Sequence, residues 1–363
     1  MTTPRHSTPA DGTPDDSDRS EPPRPTVRTP AATEPLVTAV VPAFQAADTI
    51  GATLTGLLTQ TYPHIEVLVV DDGSSDATSE VASAHGERVR VIRQQNAGVS
   101  SARNAGAAAA RGSLLVFCDS DDVLLPPAVE AMVRAWREAG AGRRIVSCNA
   151  YPLTVEGIAP DRARVMEFFP APERQRQAIL ATNFVSTIAL IPRDVFDELG
   201  GYDTTLPVAE DWDLWLRAIY GGVEIVFERR PLALYRWRRG SLSSDGERML
   251  TGEESVFRRF IETEGLDLSA QEREILQDRL DRGSPWRSRA AGDRALRSGD
   301  ARTAAREYRR AAGFIRHDRR LRLRAWSLTL APASAGLWRR RDRRIDEATG
   351  LSESGPGAGS PPS

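Results

Sequence analysis

An α/β protein built on a buried parallel sheet, with a helical C-terminal region, is the architecture these 363 residues call for, and three observations carry that expectation. Three apolar runs, Leu36–Val41, Ile65–Val70 and Leu114–Cys118, are too continuously hydrophobic for half-exposed strands and read as strands buried on both faces. Segments of helical periodicity separate them, which is the βαβ order of a parallel sheet. From Glu247 onward the pattern is helical and rich in Arg.

Composition bounds the classes open to the chain. With 40% hydrophobic and 27% charged residues it has the make-up of a soluble globular protein. No run of about 18 uncharged apolar residues is present, so no transmembrane helix is expected. The N-terminus lacks the basic-then-apolar pattern of a secretory signal, which points to a cytoplasmic protein. The two cysteines, Cys118 and Cys148, fall in expected buried strands, which excludes a disulfide framework. Every basic side chain other than His is Arg, a bias we assign to genome composition. A net charge of −2 hides an asymmetry, because residues 281–345 hold about 19 Arg against about 6 acids.

In chain order, residues 1–35 contain eight prolines and almost nothing large and apolar, and read as a disordered tail. The strand Leu36–Val41 leads into Pro42-Ala43-Phe44-Gln45. Asp48 is then expected to cap a helix with Ile50, Leu54, Leu57 and Leu58 on one face. Strand Ile65–Val70 ends in Asp71-Asp72-Gly73-Ser74-Ser75. After a third strand, Val89–Ile92, the segment Asn96-Ala97-Gly98 through Ala102-Arg103-Asn104 opens an Ala-rich helix. The strand Leu114–Cys118 then ends abruptly in Asp119-Ser120-Asp121-Asp122. Asp119 and Asp121 are two apart and point to one side of an extended chain. Like charges held where a core strand meets solvent are unfavourable alone, and a hard divalent cation is the usual remedy. Ligands of parallel sheets sit at such carboxyl ends. The triplet is weak evidence by itself, since Asp211-Trp212-Asp213 repeats it and acids are common in caps and turns.

Leu124, Leu125, Val129, Met132, Val133 and Trp136 form a helical stripe and are assigned to the core. A strand is expected over Arg144–Cys148, a variable excursion bordering an acceptor site over 151–180, a strand over Asn183–Ile191 and a short helix from Pro192 to Gly200-Gly201.

Together Val40-Val41-Pro42-Ala43-Phe44, Val69-Val70-Asp71-Asp72-Gly73-Ser74, Asn96-Ala97-Gly98 with Ala102-Arg103-Asn104, and Cys118-Asp119-Ser120-Asp121-Asp122 resemble family 2 of the inverting glycosyltransferases in order, spacing and strand context. The resemblance covers roughly residues 36–245. It implies the GT-A fold, a Rossmann-like nucleotide-binding half with a mixed central sheet, a nucleotide-sugar donor and a divalent cation, Mn²⁺ or Mg²⁺. It implies that Pro42 and Phe44 lie against the nucleoside, Asp72 on the base edge, Arg103 on the donor diphosphate, Asp119 and Ser120 near the ribose, and Asp121, with Asp119, on the metal. Phe44 stands where relatives often carry Tyr, and Gln45 where they carry Asn.

The second half of the resemblance is Gly201-Tyr202-Asp203 followed by Ala209-Glu210-Asp211-Trp212. It implies that Asp211 is the catalytic base that deprotonates an acceptor hydroxyl, with Glu210 holding the helix start and Trp212 near the acceptor. Without the upstream motifs, the same acids would read as stabilising a helix N-terminus. Leu234 through Ser241 matches the end of the catalytic domain, and Arg238 stands where many relatives have His. An Arg cannot ligate a cation but can neutralise a diphosphate.

The expected organisation is therefore a tail over 1–35, a GT-A domain over 36–245, an Arg-rich helical region over 246–345 containing a tetratricopeptide-like helical pair near 295–308, and a second tail over 346–363. The expected activity is inverting transfer, of hexosyltransferase type, to a hydroxyl acceptor on a glycan or lipid-linked glycan, in polysaccharide or cell-envelope biosynthesis. Trp and Arg between Arg324 and Arg341 suit an anionic membrane surface, so a peripheral place on the inner face of the cell membrane is expected. Nucleic-acid binding is not expected, since no recognised motif accompanies the charge. The rivals are a sugar nucleotidyltransferase, which would want a Gly-rich basic loop after the first strand, and a non-catalytic scaffold acting through the basic helices.

Overall fold

The computed structural model describes residues 34–140, 143–154, 157–158, 169–236, 246–263, 265–282, 285–314 and 319–349. The apolar runs become strands β1 (Val37–Ala43), β2 (Ile65–Asp71), β3 (Val89–Arg93) and β4 (Leu114–Phe117), interleaved with helices α1 (Ile50–Leu58), α2 (Thr78–Ser83) and α3 (Val99–Ala109). Then come β5 (Val123–Leu124), α4 (Ala128–Glu138), β6 (Arg144–Thr154), β7 (Gly157–Ile158), α5 (Gln175–Ala181), β8 (Ala189–Pro192), α6 (Arg193–Glu198), α7 (Glu210–Tyr220) and β9 (Glu224–Arg236). The C-terminal part is α8 (Gly246–Ile261), α9 (Ala270–Arg282), α10 (Pro285–Ser298), α11 (Ala301–Phe314), α12 (Arg319–Leu330) and α13 (Ala335–Thr349).

One mixed sheet orders its strands β3-β2-β1-β4-β8-β6-β9-β5, with β7 paired to β6. Its first four strands are parallel. The sense changes at β8, antiparallel to both β4 and β6; β9 then runs parallel to β6, and β5 antiparallel to β9. Residue alternation explains why β1 is buried throughout. Val37, Ala39 and Val41 enter the core on one face of the sheet and Val40 the core on the other. Burying one such side chain contributes about 1.5–3 kcal/mol, so the central strands are the stable frame from which the loops project.

Four local expectations are corrected. Asp48 does not cap α1: Thr49 holds the N-cap position without a side-chain cap bond, and Asp48 is exposed. The strand expected over Asn183–Ile191 is shorter, β8, because Asn183 and Thr187 are drawn towards α7 by hydrogen bonds to Asp211. The excursion over 151–180 is partly structural: β6 runs on to Thr154, Phe169 stacks on Phe227 at 4.4 Å, and α5 buries Ile179 and Leu180. The Arg-rich region is not a unit of its own from residue 246. Val256, Phe257 and Phe260 of α8 and Leu276 of α9 share the core of Trp212 and Trp215. Arg279 of α9 lies over the rings of Trp212 and Phe257, at 4.8 and 4.4 Å, and pairs with Glu253 at 3.0 Å.

A separate core begins at Ala295, with Leu296, Tyr308, Leu321, Ala325 and Leu328. The expected helical pair is α10–α11, entered through Asp300, whose carboxylate accepts the Thr303 N–H at 3.0 Å. Gly292 lets the two helices close, since a Cβ there would stand 2.8 Å from the Tyr308 ring.

Candidate active site

Adjacent strand tips bring the first group of residues together. Ala43 of β1 is opposite Asp71 of β2, the Asp72 N–H donates to the Ala43 carbonyl at 2.8 Å, and the Cys118 N–H donates to the Val40 carbonyl at 3.0 Å. Pro42, Phe44, Asp72 and Asp119 therefore meet at one edge. Phe44 leaves its ring half exposed. Asp72 is buried, and its carboxylate accepts the N–H groups of Ala97 at 2.9 Å and Gly98 at 2.8 Å and the Gln94 amide at 2.8 Å. A carboxylate has about four acceptor places, and among the described residues three of them are filled. Gly98 reaches this position at φ +90°, a conformation that L side chains rarely adopt. Asp71 points inward. Burial works against its charge, but hydrogen bonds from Ser74 and Ser79 and the nearby Arg93 outweigh it and hold the carboxyl below its usual range. Gln45 ties the two tips together: its Oε1 accepts the N–H groups of Ser75 and Asp76, both at 3.1 Å. Its φ of +50° lies in the left-handed region, which a Gln adopts with strain.

Beyond β4, Asp119, Ser120 and Asp121 line the cleft and are partly buried. Asp122 turns into the protein and accepts the Arg236 N–H at 2.9 Å, while the Arg236 Nε–H donates to the Asp121 carbonyl at 2.8 Å. Burial and the neighbouring Asp119 push the Asp122 carboxyl well above its usual range. Arg103 of α3 lines the same cleft and is tied to both groups of acids. Its side chain is 3% exposed, with one terminal nitrogen 2.6 Å from Asp119 and the other 2.6 Å from Glu210. The guanidinium thus holds two carboxylates, 5.1 Å above the Tyr202 ring, while its side chain lines the cleft. Next to it, Asn104 makes paired hydrogen bonds with the Tyr202 backbone, at 2.8 and 2.9 Å. One turn of α3 thus ties the acids after β4 to the start of α7.

Ala209, at φ +60°, precedes α7 and aims its first turn; a non-glycine residue there stores strain, as functional segments often do. Asp211 accepts from Asn183 at 3.1 Å, Thr187 at 3.3 Å and its neighbour's N–H, that of Trp212, at 2.7 Å. Burial first, and the adjacent Glu210 second, push its carboxyl up to about 6, against the lowering pull of Arg103 and the hydrogen bonds. Trp212 lines the cleft with little of its surface exposed. It is 3% exposed, donates its indole N–H to the Ile179 carbonyl at 2.8 Å and sets its edge against Phe257. Trp215 is wholly buried. Arg238 lies outside the described residues.

Phe44, Asp72, Asp119, Asp121 and Asp211 line one cleft of about 1070 Å³. The profile described as Glycosyl transferase family 2 matches residues 38–200. Succinoglycan biosynthesis protein ExoO of Rhizobium meliloti is 30% identical over 257 residues, covering 66% of this chain and 73% of that protein.

The chain belongs to glycosyl transferase family 2.

An uncharacterized glycosyltransferase of Rickettsia prowazekii, RP339, is 27% identical over 212 residues, and the family 2 chain spans 64% of its length. Among solved structures, Staphylococcus aureus TarS 1–349 in complex with UDP-GlcNAc superposes with a TM-score of 0.57 at 19% identity, over 81% of this chain and 89% of that one. The fold is accordingly GT-A, as the mixed sheet and the first motifs led one to expect.

Among the described residues no cluster of three His, Cys, Asp or Glu side chains is set to hold a metal ion. Asp121 and Asp119 fit a hard cation that takes one or two carboxylates and completes its shell with phosphate oxygens and water. The sequence reading missed several site residues of this family 2 protein. Asn183 and Thr187, which hold Asp211, sit in a segment whose pattern reads as strand. Ser100, at the start of α3, lines the cleft with a buried hydroxyl that lacks a hydrogen-bond partner among the described residues. Tyr202 had a signal, its place after Gly200-Gly201, but its position beneath Arg103 had none.

Proposed function

We propose that the protein is an inverting hexosyltransferase that moves a sugar from a nucleoside diphosphate sugar to a hydroxyl of a glycan or lipid-linked glycan. The observation that carries the reading is the shared cleft, lined at once by the acids after β4 and by Asp211, a carboxylate whose pKa of about 6 suits a general base. In this reading Asp211 takes the proton of the acceptor hydroxyl. The acceptor oxygen forms its bond to the anomeric carbon while the bond from that carbon to the diphosphate breaks, and the electron pair leaves with the nucleoside diphosphate. Attack from the face opposite the leaving group inverts the configuration. Asp121, with Asp119 beside it, would hold a divalent cation, whose chemistry is to offset charge on the departing diphosphate. Arg103 keeps Asp119 and Glu210 in place, Phe44 supplies a ring face for the base, and the remaining acceptor place on Asp72 takes a base N–H.

The likeness to a succinoglycan biosynthesis protein supports a polysaccharide or other envelope glycan as acceptor. A lipid-linked acceptor would be met at the inner membrane face, which fits a peripheral protein there; no described helix is long and apolar enough to cross a membrane. The test has two parts. Thermal shifts with UDP-, GDP- and dTDP-sugars, with and without Mn²⁺, identify the donor. Asp211→Asn should then lower transfer by a factor of about 10²–10⁴ while leaving the donor-induced shift intact. Transfer at the parent rate would falsify the base assignment.

A further inference from the structure

Helix α12 carries two apolar stripes where packing in a bundle needs one. Leu321, Ala325 and Leu328 are 5%, 3% and 1% exposed and enter the core formed with Leu296 and Tyr308. On the opposite side of the same helix Leu323, Trp326 and Leu330 are 53%, 63% and 65% exposed. Their spacing of i, i+3 and i+7 lines them along one face. After the exposed turn 331–333, Leu337 of α13 is 70% exposed. Of the large apolar side chains exposed among the described residues, these four fall between 323 and 337, while Phe44, Ile158 and Ile261 lie elsewhere in the sequence.

Charge surrounds this stretch. Arg319, Arg320 and Arg322 are exposed on α12, Arg340 and Arg341 on α13, and α12 contains no acid. Arg324 shows the contrast: it turns inward, where it pairs with Asp293 at 3.1 Å and with Asp342 and lies over the rings of Tyr308 and Trp338.

We propose that the outer face of α12, continued by Leu337, docks on a lipid bilayer containing anionic lipid. Leu and Trp side chains enter the boundary of headgroups and acyl chains, where an indole is well placed, and the long Arg stems let each guanidinium reach a phosphate. A second copy of this chain fits the face poorly, because it would set one arginine cluster against another. The inference deepens the peripheral reading given above, and it is read by binding alone, so its failure leaves the transferase reading untouched.

The experiment is cosedimentation of the full chain with phosphatidylcholine vesicles, and with the same vesicles containing about 30% phosphatidylglycerol. Binding is expected to the second only and to weaken as salt is raised. The triple variant Leu323→Ser, Trp326→Ser, Leu330→Ser should lose at least about tenfold in vesicle affinity, since three apolar side chains no longer enter the bilayer. Arg319→Gln and Arg322→Gln should each lose about fivefold, the equivalent of about 1 kcal/mol per basic residue. The exposed positions should leave the melting temperature unchanged. Absence of binding to the anionic vesicles overturns the proposal, as does undiminished binding by the triple variant. A parent dimer that the triple variant dissociates would assign the face to a second copy instead, and binding of an RNA oligonucleotide abolished by the same substitutions would assign it to nucleic acid.

Discussion

Asp211 owes its raised pKa to burial and to Glu210, and this has a measurable consequence because the base must be deprotonated to act. Transfer per encounter, kcat/KM, should rise with pH through about 6 and level off above it. The sign for stability runs the other way. A carboxyl whose folded pKa lies above its unfolded value binds more protons in the native state between about 4 and 6, so its contribution to unfolding free energy falls as pH rises through that window. Asp211→Asn should flatten that segment of the stability profile, and urea titrations across the window would check it; a profile that keeps its slope in the variant rules out Asp211 as its source. Arg103 teaches a related lesson. Guanidinium chemistry and the matching motif both pointed to phosphate. Its two partners are 16 and 107 residues away in the chain, and their combined attraction fixes the side chain against the wall of the cleft.

Helices α7 and α8 contribute to the wall of the site and α9 packs behind them, the three joined by a buried cation. Arg279 is 3% exposed; burial pulls its pKa down to about 10, against the raising effect of Glu253, and it remains charged at neutral pH. Its NH1 donates to the Ala181 carbonyl at 2.7 Å and its charge lies over two rings of the core. Arg279→Met should destabilise the protein by about 3–5 kcal/mol, because Glu253 stays buried without that guanidinium. Adding Glu253→Gln should recover a large part of the loss, and equilibrium urea unfolding of both variants checks this. If the double variant is as unstable as the single one, the cost lies in packing rather than in charge. The helical periodicity of α8 and α9 was legible in their residues. Their attachment to Trp212 was not, because a stripe such as Val256, Phe257 and Phe260 states that a face is buried without stating against what.

The boundary that the charge pattern drew at residue 246 is displaced by packing. The core containing Trp215 extends through Leu276, and the next core starts at Ala295. A chain ended after Arg282 should therefore keep its sheet and donor response. A chain ended at Asp245 should expose Trp212 and Trp215 and aggregate. Size-exclusion chromatography and near-ultraviolet circular dichroism distinguish the two, and a well-folded shorter fragment would show that α8 and α9 are dispensable for the core.

Local chemistry was enough to read the parallel strands, their acidic ends and the order of the motifs. A run of Val and Leu demands burial, and an Asp at its end demands solvent, a partner or a cation. The packed chain alone decided which acid meets which base. Asn183 and Thr187 reach Asp211, and Arg103 joins Asp119 to Glu210, because hydrogen bonds and ion pairs depend on distances in space that spacing along the chain does not encode.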